Sequence, residues 1–354
     1  MRIVVAMSGG VDSSVAAALL TEAGHEAIGL SMQLYDQRAE GGAGFGTCCT
    51  LDDLSDARRV ARAIGIPHYI VNFEREFNDE VISNFVREYV AGRTPIPCVR
   101  CNSGLKFSTL LERAEGFGAD RVATGHYARV DRRPDGRVRL LRGRDRGKDQ
   151  SYFLFSLTQA QLARADFPVG ALRKDDVREH ARRLGLLVSE KKDSYEICFV
   201  PDNDYAGFVE RHAAGTLGPG LIADRDGHVL GRHGGTHRFT IGQRKGLGIS
   251  AAIPLYVVDI QPANRTVVVG PRSALERAAF TASTVNWIEG APPAAPIRAD
   301  VQIRYRHREA PATITPLDGA RARVEFDDPQ PAITPGQATV FYDGDEVVGG
   351  GWID

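Results

Sequence analysis

The apolar run Ile3-Val4-Val5-Ala6-Met7 feeds directly into Ser8-Gly9-Gly10-Val11-Asp12-Ser13-Ser14, and that turn into Val15-Ala16-Ala17-Ala18-Leu19-Leu20, a strong helix former. A buried strand that turns over two glycines into a helix is the opening unit of a parallel α/β sheet. Glycine lets the backbone take positive φ and approach a ligand closely. The turn then aims unpaired N–H groups and the positive end of the helix dipole at any anion placed there. Ser8, Ser13 and Ser14 add hydroxyl donors. No lysine follows the glycines in the G-x-x-x-x-G-K-[ST] manner, so this is a phosphate turn of another kind.

The first two hundred residues continue the alternation. Strands are predicted over 25–32, 66–72 and 121–124, and helices over 54–64, 76–91 and 105–115, the first of these helices ended by Gly65. The stretch 36–46, rich in glycine and polar residues, reads as a mobile loop. Such a chain makes a parallel, doubly wound sheet whose ligands lie beyond the carboxyl ends of its strands. Near residue 205 the pattern changes to short β-rich runs such as 255–260, 266–269, 321–326 and 338–342, with frequent Gly and Pro. We therefore expect a catalytic domain over 1–205, a small linking domain over 206–274 and a β-barrel-like domain over 275–354.

With 354 residues the chain exceeds one typical domain, and its net charge of −1 makes any nucleic-acid footprint a local one. No apolar run reaches membrane-spanning length and no signal peptide precedes the first strand, so a cytoplasmic protein, without membrane contact and monomeric, is expected. Five cysteines, an odd number, point to thiol chemistry or metal rather than a disulfide scaffold. Cys98-Val99-Arg100-Cys101 lies between a proline-marked loop and a helix expected to begin near Asn102 or Ser103. A thiol at a helix N-terminus, with Arg100 and Lys106 near, loses its proton more easily. Cys198 follows Lys191-Lys192 and Asp193. The adjacent Cys48-Cys49 reads as packing or as thiols without a role.

Taken together these segments resemble the PP-loop ATP pyrophosphatases, and among them the tRNA-specific 2-thiouridylases. The resemblance rests on Ser8-Gly9-Gly10-Val11-Asp12-Ser13, on Thr94-Pro95-Ile96-Pro97 with the cysteines that follow, and on Ala123-Thr124-Gly125-His126-Tyr127. It continues through Lys148-Asp149-Gln150-Ser151-Tyr152-Phe153, Ile197-Cys198-Phe199, Thr240-Ile241-Gly242-Gln243 and Arg304-Tyr305, across essentially the whole chain. It implies ATP with Mg2+, adenylation of the C2 oxygen of the wobble uridine, and release of pyrophosphate. ATP contacts carry over to Ala6, Met7, Ser8, Gly9, Gly10, Val11, Asp12, Ser13, Met32 and Gly125. Cys198 matches the cysteine that receives sulfur as a persulfide from a desulfurase or carrier protein. Cys101 matches the nucleophile, and a Cys101–Cys198 disulfide is what the transfer leaves behind. Contacts to tRNA carry over to Ile96, Pro97, Cys98, His126, Lys148, Asp149, Gln150, Arg304, Tyr305 and Gln337.

One position departs from the family pattern. Members often carry Asp where this chain has Cys98, and a thiol cannot accept hydrogen bonds as a carboxylate does. Cys98, Cys101 and Cys198 then leave open a [4Fe-4S] cluster as an alternative sulfur carrier. A PP-loop amide ligase, and a tRNA-binding protein with a vestigial loop, are the competing classes. From Arg129 to Lys148 nine basic residues face three Asp, around the turn signal Pro134-Asp135-Gly136. This reads as a basic hairpin for tRNA phosphates, with a second patch at Arg304-Tyr305-Arg306-His307-Arg308.

Overall fold

The computed structural model describes residues 1–34, 50–193, 197–200, 203–213 and 215–354. The loop expected over 36–46, the pair Cys48-Cys49 and the residues 194–196 ahead of Cys198 lie outside the described residues.

The chain opens with β1 (Arg2–Ala6), α1 (Val11–Glu22), β2 (Glu26–Gln33), α2 (Leu51–Ile64) and β3 (His68–Asn72). After two helical stretches come β4 (Arg121–Thr124), the hairpin β5 (Ala128–Arg132) and β6 (Val138–Arg142), and the short β7 (Ala165–Asp166). β3-β2-β1-β4-β7 form one parallel sheet. Val4 on one face and Ile3 and Val5 on the other are buried in two separate apolar clusters, so the sheet is covered on both sides. α1 and the helix Lys174–Arg183 pack on the second face. Strand order changes direction between β1 and β4, and the glycine turn follows β1 at that point. This is the crevice where open α/β sheets hold their ligands.

α2 begins at Leu51, three residues before its predicted start, because Thr50 and Asp53 close a capping box. Gly65 ends it in the left-handed region, φ 78°, as its position in the sequence implied. The helix carrying Cys98 and Cys101 starts earlier than expected too, at Pro97. Proline is favoured at a first helical position because its missing N–H is one that would be unpaired anyway. The run Cys101–Thr109 is π-helical, with Phe107 outside helical angles.

The middle of the chain forms β8 (Gly220–Ala223), β9 (Val229–His233), β10 (Tyr256–Gln261) and β11 (Thr266–Gly270), paired in the order β10-β11-β8-β9 around a small core of Ile222, Val257 and Val267. Then β12 (Glu276–Trp287), β13 (Ile297–Gln302), β14 (Ala310–Leu317), β15 (Arg321–Pro331), β16 (Ala338–Asp343) and β17 (Glu346–Ile353) pair antiparallel. β12 pairs with β17 as well as β15, which closes the six strands into a barrel.

One hairpin crosses the expected division at residue 205. β6 pairs with β17, Leu141 opposite Glu346 and Leu140 opposite Val347, so β5 and β6 extend the barrel sheet. The reason is visible in β6: Val138, Leu140 and Arg142 alternate inward and are all buried.

Candidate active site

The turn after β1 is built around two close approaches. Gly9 has φ +74°, and a Cβ there would lie 2.1 Å from the carbonyl oxygen of Asp53 on α2. Gly125, just past β4, runs so near α1 that a Cβ would lie 2.5 Å from the Ser13 nitrogen. Gly10 caps α1 with no side-chain bond to the first N–H groups. Those donors are what an anion at a helix start needs. The serines divide differently from the sequence expectation. Ser13 and Ser14 are buried and donate to the Gly10 carbonyl at 3.2 and 2.8 Å, which leaves Ser8 as the exposed hydroxyl. Met32 is buried in the sheet core at the end of β2, and Ala6 and Met7 end β1 beside it.

Two lysines far from the turn in sequence, Lys174 and Lys191, close on it. Lys174, only 7% exposed, places its Nζ 2.8 and 2.9 Å from the two carboxylate oxygens of Asp12. It also lies 2.7 Å from Asp193 Oδ1. Asp193 is bonded by Lys148 at 2.7 Å and approached by Arg178 at 3.5 Å, and the Tyr127 hydroxyl donates to Asp12 Oδ1 at 2.7 Å. Burial alone would raise the Asp193 carboxyl, but the lysine bonds win and hold it below the usual range. Burial, then the Asp12 charge, pushes the Tyr127 phenol up. Lys191 takes the other side of the turn. It donates to the Gly9 carbonyl at 3.0 Å and to Asp53 and Asp56 at 2.6 Å each, and these carboxylates raise its ammonium despite burial. A signal for Lys174 existed: it is the first residue of its helix, where a cation opposes the dipole.

Cys98 is exposed and Cys101 buried, one helical turn apart. The Cys101 N–H donates to the Pro97 and Cys98 carbonyls. The helix N-terminus expected at Cys101 therefore belongs to Cys98, and the correction follows from Pro97 starting the helix. Cys101 lies in the apolar cluster on the sheet face opposite α1, and half-buried Cys198 packs against that same cluster. Next to Cys198, the Phe199 ring meets Phe77, Phe85 and Phe208 at 5.5, 5.1 and 5.2 Å. The iron–sulfur alternative finds no support here. Among the described residues, the converging group of three metal-competent side chains is Asp224, Asp226 and His228, in the turn between β8 and β9.

Most residues expected at tRNA hold the protein together. Asp149 accepts from the N–H groups of Gly143 and Ser151, and Gln150 pairs with the backbone of Tyr127. Gln337 donates to the Thr94 carbonyl at 2.9 Å, and Arg93 donates to that of Ile353. Arg304 is half-buried and donates to the Pro331 carbonyl at 3.2 Å. The Tyr305 ring lies 4.5 Å from that of Phe153. His126 shares a 2.7 Å hydrogen bond with Thr124, and burial, then Lys106, keeps its ring neutral. The barrel thus grips the loop 93–97 that leads into the cysteine helix, while Arg100 lies over the Trp352 ring at 5.1 Å.

The basic hairpin is likewise neutralised from within. Arg129 and Arg146 pair with Asp345, Arg133 and Arg137 with Glu289, and Arg139 with Asp131 and Glu346. Arg142 is 7% exposed between Asp149 and Glu309, its guanidinium 3.4 Å from the Tyr342 ring. Arg144 and Arg146 remain on the surface. The hairpin thus joins the barrel sheet and pairs most of its arginines with carboxylates of the same chain.

A glycine turn at the switch point of a parallel sheet, with the buried Lys174 and the half-buried Lys191 beside it, defines a nucleotide-handling α/β protein. Three domain families match in succession: a tRNA methyl transferase HUP domain over residues 1–202, a tRNA methyl transferase PRC-barrel domain over 206–271, and an aminomethyltransferase beta-barrel domain over 277–353. A tRNA-specific 2-thiouridylase MnmA of Geotalea uraniireducens is 57% identical, the match covering 100% of this chain and 95% of that protein. One of the same name from Geobacter metallireducens is 58% identical over 100% of this chain and 96% of its own. The chain belongs to the tRNA-specific 2-thiouridylase family. A solved complex of a 4-thiouridine synthetase with RNA and bound ATP is 15% identical at a TM-score of 0.35, covering 61% of this chain and 51% of that one, too loose a likeness to build on.

Proposed function

We propose that this protein replaces the C2 oxygen of the tRNA wobble uridine with sulfur at the cost of ATP. ATP lies with its β- and γ-phosphates on the turn from Ser8 to Ser13, between Met32 and Gly125. The uridine oxygen attacks the α-phosphorus, the P–O bond to pyrophosphate breaks, and C2 acquires an AMP leaving group. The terminal sulfur of a Cys198 persulfide then attacks C2 and AMP departs. The Cys101 thiolate attacks the Cys198 sulfur, the S–S bond to the nucleoside breaks, and its electron pair stays on the new thiocarbonyl sulfur. A Cys101–Cys198 disulfide remains, and a thiol reductant resets it. A cysteine desulfurase or sulfur-carrier protein supplies the persulfide sulfur.

The observation that carries this reading is that two cysteine segments almost a hundred residues apart pack on one apolar cluster under the sheet whose switch point bears the glycine turn. Magnesium suits this site only together with phosphates. Asp12 is the carboxylate on α1 beside the turn, and both its oxygens are engaged by Lys174. An ion that keeps waters and phosphate oxygens and takes one or two carboxylates fits such a site. Magnesium there would neutralise phosphate charge.

The test is single-turnover thiolation of tRNA by persulfide-loaded protein, followed by nucleoside mass spectrometry and pyrophosphate release. Cys101→Ala and Cys198→Ala should form no thiouridine, while pyrophosphate release and tRNA binding persist. Thiouridine at the wild-type rate from either variant would overturn the assignment. No thiouridine from the loaded wild type would remove the activity itself.

A further inference from the structure

We propose that Lys174 is the phosphate-binding cation of the glycine turn, held on Asp12 until a polyphosphate takes it over. The proposal rests on the reading of this turn as the ATP site, and it names a residue for a task the turn's own sequence leaves undone. A polyphosphate brings several negative charges, and backbone N–H groups with a helix dipole supply only about half a unit charge. Loops that carry the G-K-[ST] lysine meet this need within the motif. Here the residues after Gly10 are Val11, Asp12, Ser13 and Ser14, so the motif contributes a carboxylate instead. A cation must come from elsewhere in the fold.

Lys174 is the lysine placed to do so. Its Nζ sits 2.8 Å from Asp12, the second residue of α1, hence beside the N–H groups that Gly10 leaves uncapped. The side chain reaches there from the first turn of another helix, under cover of the Tyr127 ring, whose centroid is 5.8 Å away. Asp12 and Asp193 are met by three cations, Lys174, Lys148 and Arg178. Asp145 adds a third carboxylate, accepting from the Lys174 backbone N–H at 3.0 Å. Lys191 differs. Two carboxylates of α2, Asp53 and Asp56, and the Gly9 carbonyl take its three protons, which ties α2 to the turn.

The shared carboxylate gives the exchange its logic. Asp12 would be the carboxylate available to a magnesium ion brought in with a polyphosphate, and Lys174, released from it, would be free to donate to a phosphate oxygen. Before entry, Lys174 spares a carboxylate at the mouth of the site from repelling the incoming anion. Removing the charge should therefore cost at least tenfold in affinity.

The experiment is calorimetric titration of the full-length protein with inorganic pyrophosphate and separately with Mg2+–ATP, alongside thermal unfolding without nucleotide. Lys174→Met should weaken pyrophosphate binding at least tenfold, and Lys174→Arg should restore most of it. Should the methionine variant fail to fold, Lys174→Gln keeps hydrogen-bond donors without charge and reads the same quantity. Wild-type affinity in the neutral variants, with only a lower Tm, would show a purely structural lysine and overturn the proposal. A wild-type protein that binds neither ligand would overturn the nucleotide reading of the turn, and this proposal with it.

Discussion

The hairpin 128–142 with its following loop, and the surroundings of the glycine turn, use positive charge in opposite ways. In the hairpin region arginines crowd the sequence, yet their counter-charges are built in: Glu289, Glu309, Asp345 and Glu346 come from the barrel, more than a hundred residues away. Around the turn the lysines are few and scattered, yet they converge on the sheet's ligand crevice. Charge density along a chain thus says little about charge offered to a partner. What decides it is where the opposite charges return, and those are long-range facts of the fold.

The largest expected effect lies at the turn. Gly9→Ala puts a Cβ 2.1 Å from the Asp53 backbone oxygen at φ +74°, a clash with the α2 backbone that no side-chain movement relieves. Pyrophosphate release in the presence of tRNA should fall a hundredfold or more, with a stability loss of roughly 1–3 kcal/mol. Activity within threefold of wild type would show that α2 can move away from the turn, and would weaken the view of it as a rigid cradle.

At the hairpin the effect should fall on stability instead. Arg142→Ala leaves Asp149 buried with its ion pair broken, a change that costs roughly 3–5 kcal/mol in such settings; urea unfolding should show it. Arg139 is about a third exposed, and its pairs should be worth about 1 kcal/mol or less. Arg139→Ala should also leave the salt dependence of tRNA binding unchanged, because that guanidinium is spent on Asp131 and Glu346. A shallower slope, by about one unit of log K per log salt, would return the hairpin to the tRNA interface.

These contrasts mark what was legible in the chain. The parallel sheet, the glycine turn and the β-rich second half were all readable, because apolar periodicity and glycine chemistry are local properties. The start of the cysteine helix was misread by about five residues, since Thr94-Pro95-Ile96-Pro97 looked like a loop although Pro97 suits a first helical turn. Lys174, Asp193 and Tyr127 were invisible as a set, for no spacing rule joins residues 12, 127, 174 and 193. The bonds by which Arg304, Gln337 and Asp149 hold loops in place were equally hidden, because their partners lie far off in sequence or depend on the folded loop.

The smallest expected effect is a pH dependence shared by both regions. His126 near the turn and His307 in the barrel both have imidazoles lowered by burial first, then by Lys106 and Arg304 respectively; His307 falls to about 4. His68 and His233 are lowered by burial as well. Each is neutral in the folded protein below pH 6.5, where the unfolded chain begins to take up protons. The unfolded state therefore binds more protons, and stability must fall as pH drops from 6.5 toward the folded-state values. The slope is at most about 1.4 kcal/mol per pH unit for each histidine. Urea midpoints at pH 7.5, 6.5 and 5.5 should decline across the second interval more than the first. His307→Gln should remove part of that decline without touching pyrophosphate release, since the barrel histidine is remote in sequence and sheet from the turn. A decline unchanged in the variant would place the proton uptake on the histidines outside the barrel, His68, His126 and His233.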